Sequence, residues 1–278
     1  MSDIVRQVVV NDSVIGGPRL ALIAGPCLIE DEDSTYEMAA RLRDLTAELD
    51  IPFIFKASCD KANRTSIKSA RGPGWRKGLQ ILAKVAHRAQ VPVISDVHEA
   101  WQVSAAAEIL HMLQIPALLS RQTDLLLAAG ESGVPVNIKK GQFMAPEDMA
   151  HAVGKVTSTG NEDICLTERG TSFGYHNLVV DMRGLATMRQ LGRPVLFDAT
   201  HSVQLPSGSG DVSDGQRELV PVLARAAIAV GVDGLFMEVH PDPDNAACDG
   251  PNMVPMDELP ALLKRLLRLR EAVQDGEI

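Results

Sequence analysis

Ile54-Phe55-Lys56-Ala57-Ser58-Cys59-Asp60-Lys61-Ala62-Asn63-Arg64-Thr65-Ser66 begins as a β-strand and ends as a polar, cation-rich loop. Strand alternation sets Ile54, Lys56 and Ser58 on one face. A lysine that shares a face with isoleucine inside an apolar run costs free energy unless an anion compensates it. Lys61 and Arg64 follow closely, with Asn63, Thr65 and Ser66 as hydrogen-bonding neighbours. Three cations and several neutral donors at the mouth of a strand suit a phosphorylated or carboxylated small molecule.

Outward from this stretch the chain alternates strand and helix. Residues 8–15 read as a hairpin turning at Asn11-Asp12 and closed by Gly16-Gly17-Pro18. Residues 20–24 form a short apolar strand that leads into Gly25-Pro26-Cys27. Asp33 and Ser34 offer caps for a helix carrying Met38, Leu42, Leu45 and Leu49, which Pro52 stops. Further strands are expected over 91–97, 112–118, 134–140, 164–169, 195–200 and 234–240. Helices are expected over 79–89, 100–110, 124–129, 146–156, 180–191, 218–230 and 259–273. About eight short apolar strands, each followed by a helix, predict an α/β fold of the TIM (β/α)8 barrel type. A doubly wound sheet would show fewer strands and a glycine-rich fingerprint after the first, which Gly25-Pro26-Cys27 is not. One catalytic domain over residues 1–278, with the hairpin inside 1–18, is the expected organisation.

The bulk numbers agree. The chain has 278 residues, 45% of them hydrophobic, enough for one large barrel core. The net charge of −9 makes nucleic acid and anionic membranes poor partners. Local cation clusters in an acidic chain are therefore more telling. No apolar run approaches the ~20 residues of a membrane span, and Met-Ser-Asp-Ile-Val-Arg lacks a signal-peptide core. A cytoplasmic protein is expected. Cys27, Cys59, Cys165 and Cys248 include no CxxC pair, so no disulfide framework is expected.

In a TIM barrel the chemistry lies at the C-terminal ends of the strands. Polar residues stand at nearly all of them: Cys27; Lys56, Ser58, Lys61, Asn63 and Arg64; Asp96 and His98; Gln114; Asn137 and Lys139; Thr167 and Arg169; His201; Glu238 and His240. One sub-site is cationic, with Lys56, Lys61, Arg64, Lys139, Arg169 and nearby Arg121, enough charge for two phosphates or a phosphate and a carboxylate. Cys27, His201, Glu238 and Asp249 form a second group whose thiol, imidazole and carboxylates suit Zn²⁺, Fe²⁺ or Mn²⁺. These four residues also admit a plainer assignment: Cys27 as a small core residue, His201 capping a loop and Glu238 paired with a barrel lysine. Two long loops, 61–75 and 202–216, read as lids.

Taken together, these residues resemble the 3-deoxy-manno-octulosonate 8-phosphate synthase family. The likeness rests on Ala24-Gly25-Pro26-Cys27, Phe55-Lys56-Ala57-Ser58, Lys61-Ala62-Asn63-Arg64-Thr65-Ser66, Ser95-Asp96-Val97-His98, Arg121-Gln122-Thr123-Asp124, Asn137-Ile138-Lys139-Lys140-Gly141-Gln142-Phe143, Thr167-Glu168-Arg169-Gly170, Phe173-Gly174-Tyr175, Asp198-Ala199-Thr200-His201-Ser202-Val203-Gln204 and Glu238-Val239-His240-Pro241. The resemblance covers nearly the whole chain. It implies a TIM barrel with an N-terminal hairpin, a homotetramer, and condensation of phosphoenolpyruvate with arabinose 5-phosphate toward the lipopolysaccharide sugar Kdo. It also implies that Lys61, Lys139 and Arg169 hold phosphoenolpyruvate, with Lys56, Ser58, Gln114 and Arg121 around it, and that Asn63, Arg64 and Thr65 hold the aldose. Lys61, Asp96, His201 and Cys27 are the candidate catalytic residues, Asp96 and His201 for proton handling. The family contains metal-dependent and metal-independent members. Cys27 and Gly141 resemble the former, with His201, Glu238 and Asp249 at the other ligand positions and a divalent metal as the cofactor. Cys248-Asp249-Gly250-Pro251 resembles the latter, so the pattern is mixed. The nearest rival is the heptulosonate 7-phosphate synthase that uses erythrose 4-phosphate, whose sugar loop favours Lys-Pro-Arg-Thr over Lys61-Ala62-Asn63-Arg64.

Overall fold

The computed structural model describes residues 5–63, 66–67, 69–206 and 214–276. Among them, eight parallel strands close into a barrel. These are β3 (Ala21–Gly25), β4 (Phe53–Lys56), β5 (Val93–Asp96), β6 (Met112–Ile115), β7 (Val136–Lys139), β8 (Ile164–Glu168), β11 (Val195–Asp198) and β14 (Gly234–His240). Each pairs with the next, and β14 closes the ring onto β3. The helices are α1 (Glu32–Glu48), α2 (Trp75–Ala89), α3 (Ala100–Ala107), α4 (Thr123–Glu131), α5 (Met149–Thr157), α6 (Arg183–Arg189), α7 (Val220–Val230) and α8 (Leu259–Gln274), one after each barrel strand. The expected TIM barrel is therefore the observed fold.

Alternation inside each strand divides the core in two. Leu22, Phe53, Phe55, Leu113, Ile138 and Phe197 face outward and pack under the helices with Leu42, Leu82 and Leu263. Ala21, Ile23, Ile54, Ile94, Met112, Cys165, Leu196 and Phe236 face inward and form the barrel floor. The hairpin β1 (Val8–Val10) and β2 (Ser13–Ile15) plugs that floor, with Val8, Val10 and Ile15 buried in the same cluster. Asn11 makes its turn in the left-handed region (φ 51°). Ser13 Oγ ties the plug to β4, donating to Phe53 O at 2.9 Å and accepting from Phe53 N at 3.1 Å. Ile15→Ala should therefore cost about 2–5 kcal/mol, the range for a fully buried aliphatic truncation. Urea denaturation would register this as a lower midpoint with an unchanged slope. A midpoint equal to wild type would show that the plug is not part of the cooperative unit.

Several boundaries differ from expectation, each for a local reason. The cap of α1 is Asp31, whose carboxylate accepts from Ser34 N at 2.8 Å and Ser34 Oγ at 2.6 Å. Asp33 instead lies in the first helical turn. Pro116 ends β6, and Ala117–Leu119 continue as a 3₁₀ turn rather than as strand. Residues 145–148 form a tight turn before α5 begins at Met149. The helix expected over 180–191 is shorter, α6 beginning at Arg183, and just before it β10 (Leu178–Val179) pairs antiparallel with β9 (Thr171–Ser172). In the loop 202–216, β12 (Gln204–Leu205) pairs with β13 (Asp214–Gly215), while residues 207–213 lie outside the described residues. β15 (Val254–Pro255) adds a short parallel pairing beyond β14.

Candidate active site

The C-terminal ends of the strands surround a cavity of about 230 Å³, lined by Lys56, Ser58, Lys61, Asn63, Asp96, Gln114, Lys139, Arg169, His201 and Asp249 among others. Strand direction explains the gathering, because the parallel strands all deliver the inward-facing residues of their C-terminal ends to the same mouth of the barrel. Lys56 and Lys139 rise from β4 and β7 over the ring of Phe236, their Nζ atoms 5.7 and 3.1 Å from its centroid. The ring's electron-rich face stabilises both cations where water is excluded.

Three buried carboxylates, Glu238, Asp198 and Asp96, balance this charge. Glu238, fully buried on β14, accepts from Lys56 Nζ at 2.9 Å and lies 3.8 Å from Lys61 Nζ. Burial alone would raise Glu238, but His201, Lys56 and Lys61 outweigh it and hold it below the usual carboxylate range. Asp198, at the end of β11, pairs with Lys139 Nζ and receives His201 Nδ1 at 2.7 Å. Its other oxygen accepts from His201 N at 2.8 Å, Thr200 N at 3.2 Å and Thr200 Oγ1 at 3.1 Å. Asp198 therefore fixes the imidazole and leaves Nε2 facing Glu238 at 3.5 Å. Burial opposes ionisation of Asp198 as well, and His201 and Lys139 outweigh it. Asp96 is held low in the same way, by His98 at 3.0 Å and by Lys61 and Lys56 against its burial.

Lys139 goes the other way. Burial, with repulsion from Lys56 and Arg169, pulls it down to about 8 despite Asp198. Burial also lowers Arg169, whose Nη2 donates to Gln204 Oε1 at 3.1 Å. Arg169 Nη1, Ser58 Oγ and Gln114 Oε1 are buried without a hydrogen-bond partner among the described residues. Buried donors and acceptors are normally satisfied, so orphans lining a cavity mark where a polar ligand would sit. Cations crowded until one loses basicity, beside unpaired donors, make an anion receptor.

A second cluster borders the receptor. Single ligand atoms of His201, Glu238 and Asp249 lie within 4.8 Å of one another, as do those of Cys27, Cys248 and Asp249. Cys27 Sγ is 3.3 Å from Asp249 Oδ2. Gly25 lets β3 deliver Cys27 here, since a Cβ on it would stand 2.0 Å from the Lys56 carbonyl oxygen. Glu238 Oε2 is buried and unpartnered among the described residues. Sulfur, nitrogen and oxygen donors converging around an unsatisfied carboxylate oxygen fit a borderline divalent cation. The plainer alternative, Glu238 as partner of a barrel lysine, describes its other oxygen.

The structure thus brings together Cys27, Lys56, Ser58, Lys61, Asn63, Asp96, Gln114, Lys139, Arg169, His201, Glu238 and Asp249. Arg64 and Thr65 lie outside the described residues. Arg121 does not reach the cavity: it is exposed and borders a separate hollow with His151 and Lys155, where Lys155 Nζ donates to its carbonyl. Sequence reasoning left out Asp198 and Cys248. Asp198 carried a signal, three residues before His201 at a strand end.

The profile of the DAHP synthetase I family matches residues 6–275. The 2-dehydro-3-deoxyphosphooctonate aldolase of Desulfatibacillum aliphaticivorans is 62% identical over 263 residues, 94% of this chain and 96% of the relative. The aldolase of the same name from Syntrophotalea carbinolica is 60% identical over 266 residues, 95% of this chain and 96% of its own. That of Geobacter metallireducens is 60% identical over 262 residues, 94% and 96% of the two chains. Similarity of this depth over nearly the whole chain shows that the chain belongs to the DAHP synthetase I family, among its 2-dehydro-3-deoxyphosphooctonate aldolases.

Proposed function

We propose that this enzyme condenses phosphoenolpyruvate with D-arabinose 5-phosphate and water, giving 3-deoxy-D-manno-octulosonate 8-phosphate and inorganic phosphate in Kdo biosynthesis. The observation that carries it is the anion receptor of Lys56, Lys61, Lys139 and Arg169, in a chain whose relatives bear that aldolase's name. Two polyanionic substrates need this much positive charge in one cavity. In this reading Lys61, Lys139 and Arg169 hold phosphoenolpyruvate, with Lys56, Ser58 and Gln114 around it. Asn63 holds the aldose together with Arg64 and Thr65.

The reaction forms one C–C bond and breaks one C–O bond. The methylene carbon of phosphoenolpyruvate attacks the aldehyde carbon, whose oxygen takes a proton and becomes a hydroxyl. Water adds to the phosphate-bearing carbon and gives up a proton. The resulting tetrahedral centre expels phosphate with the bridging oxygen and closes to the ketone. Lys139 and Arg169 offset the negative charge that collects on the carboxylate and phosphate as these steps proceed. Asp96, held ionised beside His98, can accept a proton at Oδ1, which is buried and unpartnered among the described residues. Cys27, His201, Glu238 and Asp249 would hold a divalent cation. When bound, it supplies Lewis-acid polarisation of a substrate or water oxygen.

The substrates, the acidic composition and the absence of a membrane-length apolar helix among the described residues suit a cytoplasmic enzyme. A homotetramer accords with exposed Phe143, Phe173 and Tyr175, apolar side chains that further copies would cover. The aldose is tested by measuring phosphate release with arabinose 5-phosphate and erythrose 4-phosphate in parallel. The five-carbon sugar should be preferred by at least about a hundredfold in kcat/KM. Preference for the four-carbon sugar would transfer the enzyme to heptulosonate synthesis.

A further inference from the structure

We propose that Cys248 is a second sulfur donor of the cation site, and that it biases the site toward soft, thiophilic divalent ions. The inference rests on the reading of Cys27, His201, Glu238 and Asp249 as that site. Asp249 belongs to both triplets of converging ligand atoms, one with His201 and Glu238, the other with Cys27 and Cys248. The two triplets are adjacent and share Asp249, with a nitrogen–oxygen side on one flank and a sulfur side on the other. Donor atoms bound to one ion at ~2.0–2.3 Å stand within about 4 Å of each other, and the 4.8 Å limit on each triplet is close to that spacing.

The backbone supports the arrangement. Asp249 sits in the left-handed region (φ 52°, ψ 21°), and the consecutive side chains of Cys248 and Asp249 both reach the Cys27 thiol. Cys27 is fully buried and Cys248 is 6% exposed. Glu238 belongs to the triplet across Asp249, and its Oε2, buried and unpartnered among the described residues, is an independent mark of a polar ligand there. Asp198 holds His201 Nδ1, leaving Nε2 for that ligand. The other two cysteines show the contrast. Cys165 lies in the apolar floor, and Cys59 meets Ser95 Oγ at 3.5 Å under α2. Neither belongs to such a donor group among the described residues. Packing beside Leu28 and Met253 would accept any small apolar residue at 248, whereas a second sulfur at the donor position changes which ions are held. Sulfur favours Zn²⁺ and Cd²⁺ over Mn²⁺, which prefers oxygen.

The test uses the full-length protein stripped of metal and titrated with Co²⁺ alone, read by sulfur-to-cobalt charge-transfer absorption. Competition between Cd²⁺ and Mn²⁺, read by elemental analysis, is the second measurement. Cys248→Ser should still take up Co²⁺ but lose about half of that absorption and about tenfold or more of the Cd²⁺ preference. Cys248→Ala is the second variant where serine disturbs folding, judged by circular dichroism. Co²⁺ uptake with absorption and preference unchanged in the folded variant overturns the proposal while the cation site stands. A wild-type protein that takes up no Co²⁺ overturns the cation site, and the proposal with it.

Discussion

Replacing Lys139 by methionine will lower kcat/KM for phosphoenolpyruvate about a thousandfold. Lys139 is 4% exposed, stands on the Phe236 ring and pairs with Asp198. Removing one partner of a buried, hydrogen-bonded charge costs roughly 2–5 kcal/mol in binding, and each 1.4 kcal/mol is about tenfold. Methionine keeps the length and apolar stem of lysine, so the loss reports charge rather than a cavity. Asp198 keeps His201 and the Thr200 and His201 amides, so the fold should survive with a lower melting temperature.

Wild-type pH dependence carries the same signature. Folded Lys139, at about 8 against an ordinary 10.5, loses its proton in a range where the unfolded chain still holds it. Between those values the unfolded state binds more protons, so this group raises stability as pH rises. Over the same window the receptor loses one positive charge, so kcat/KM should fall about tenfold per unit above pH 8. Stability and activity moving in opposite directions would separate Lys139 from general alkaline unfolding. In Lys139→Met this limb should be missing. A flat profile to pH 10 in wild type, or a methionine variant within tenfold of it, would remove Lys139 from the substrate site.

The pattern in the sequence was clearest where one periodicity governs one environment. Buried parallel strands are short apolar runs, and a polar residue at the end of each marks the catalytic rim whatever the exact boundary. Lys56 was legible because a lysine alternating with Ile54 has no cheap apolar explanation, and the compensating anion is the long-range partner Glu238. Pairings of that kind, such as Glu238 with Lys56 and Asp198 with Lys139, depend on barrel closure and leave no local spacing. The hairpin was visible as a hairpin, but its role as the floor plug was not, because Val8, Val10 and Ile15 look the same in any half-buried ribbon. Residues 180–182 read as helical by composition, yet α6 begins only at Arg183, after β10 has paired with β9. Arg121 looked like one more rim cation. Its Cα follows the 3₁₀ turn after Pro116, which carries the side chain away from the cavity.

Removing divalent metal should reduce turnover at least about a thousandfold, with recovery on adding Zn²⁺, Mn²⁺ or Cd²⁺, since Lewis-acid assistance is worth several kcal/mol. The geometry also fixes what should not change. On the Lys139 and Arg169 side of the receptor the buried counter-charge comes from Asp198, which supplies no atom to the donor triplets. Metal-free enzyme should therefore still bind phosphoenolpyruvate by calorimetry, within about tenfold of the loaded form, while failing to turn it over. Glu238 separates the alternatives further, since one oxygen serves Lys56 and the other is unpartnered among the described residues. If the unpartnered oxygen is a ligand, Glu238→Gln will weaken metal uptake as well as turnover. If Glu238 only balances Lys56, uptake will be unchanged and the loss will appear in substrate binding. Full activity after verified metal removal would refute metal dependence, returning Cys27 to a packing role and Glu238 to its lysine. The synthase reaction would survive that result, because its substrates are held by the cations.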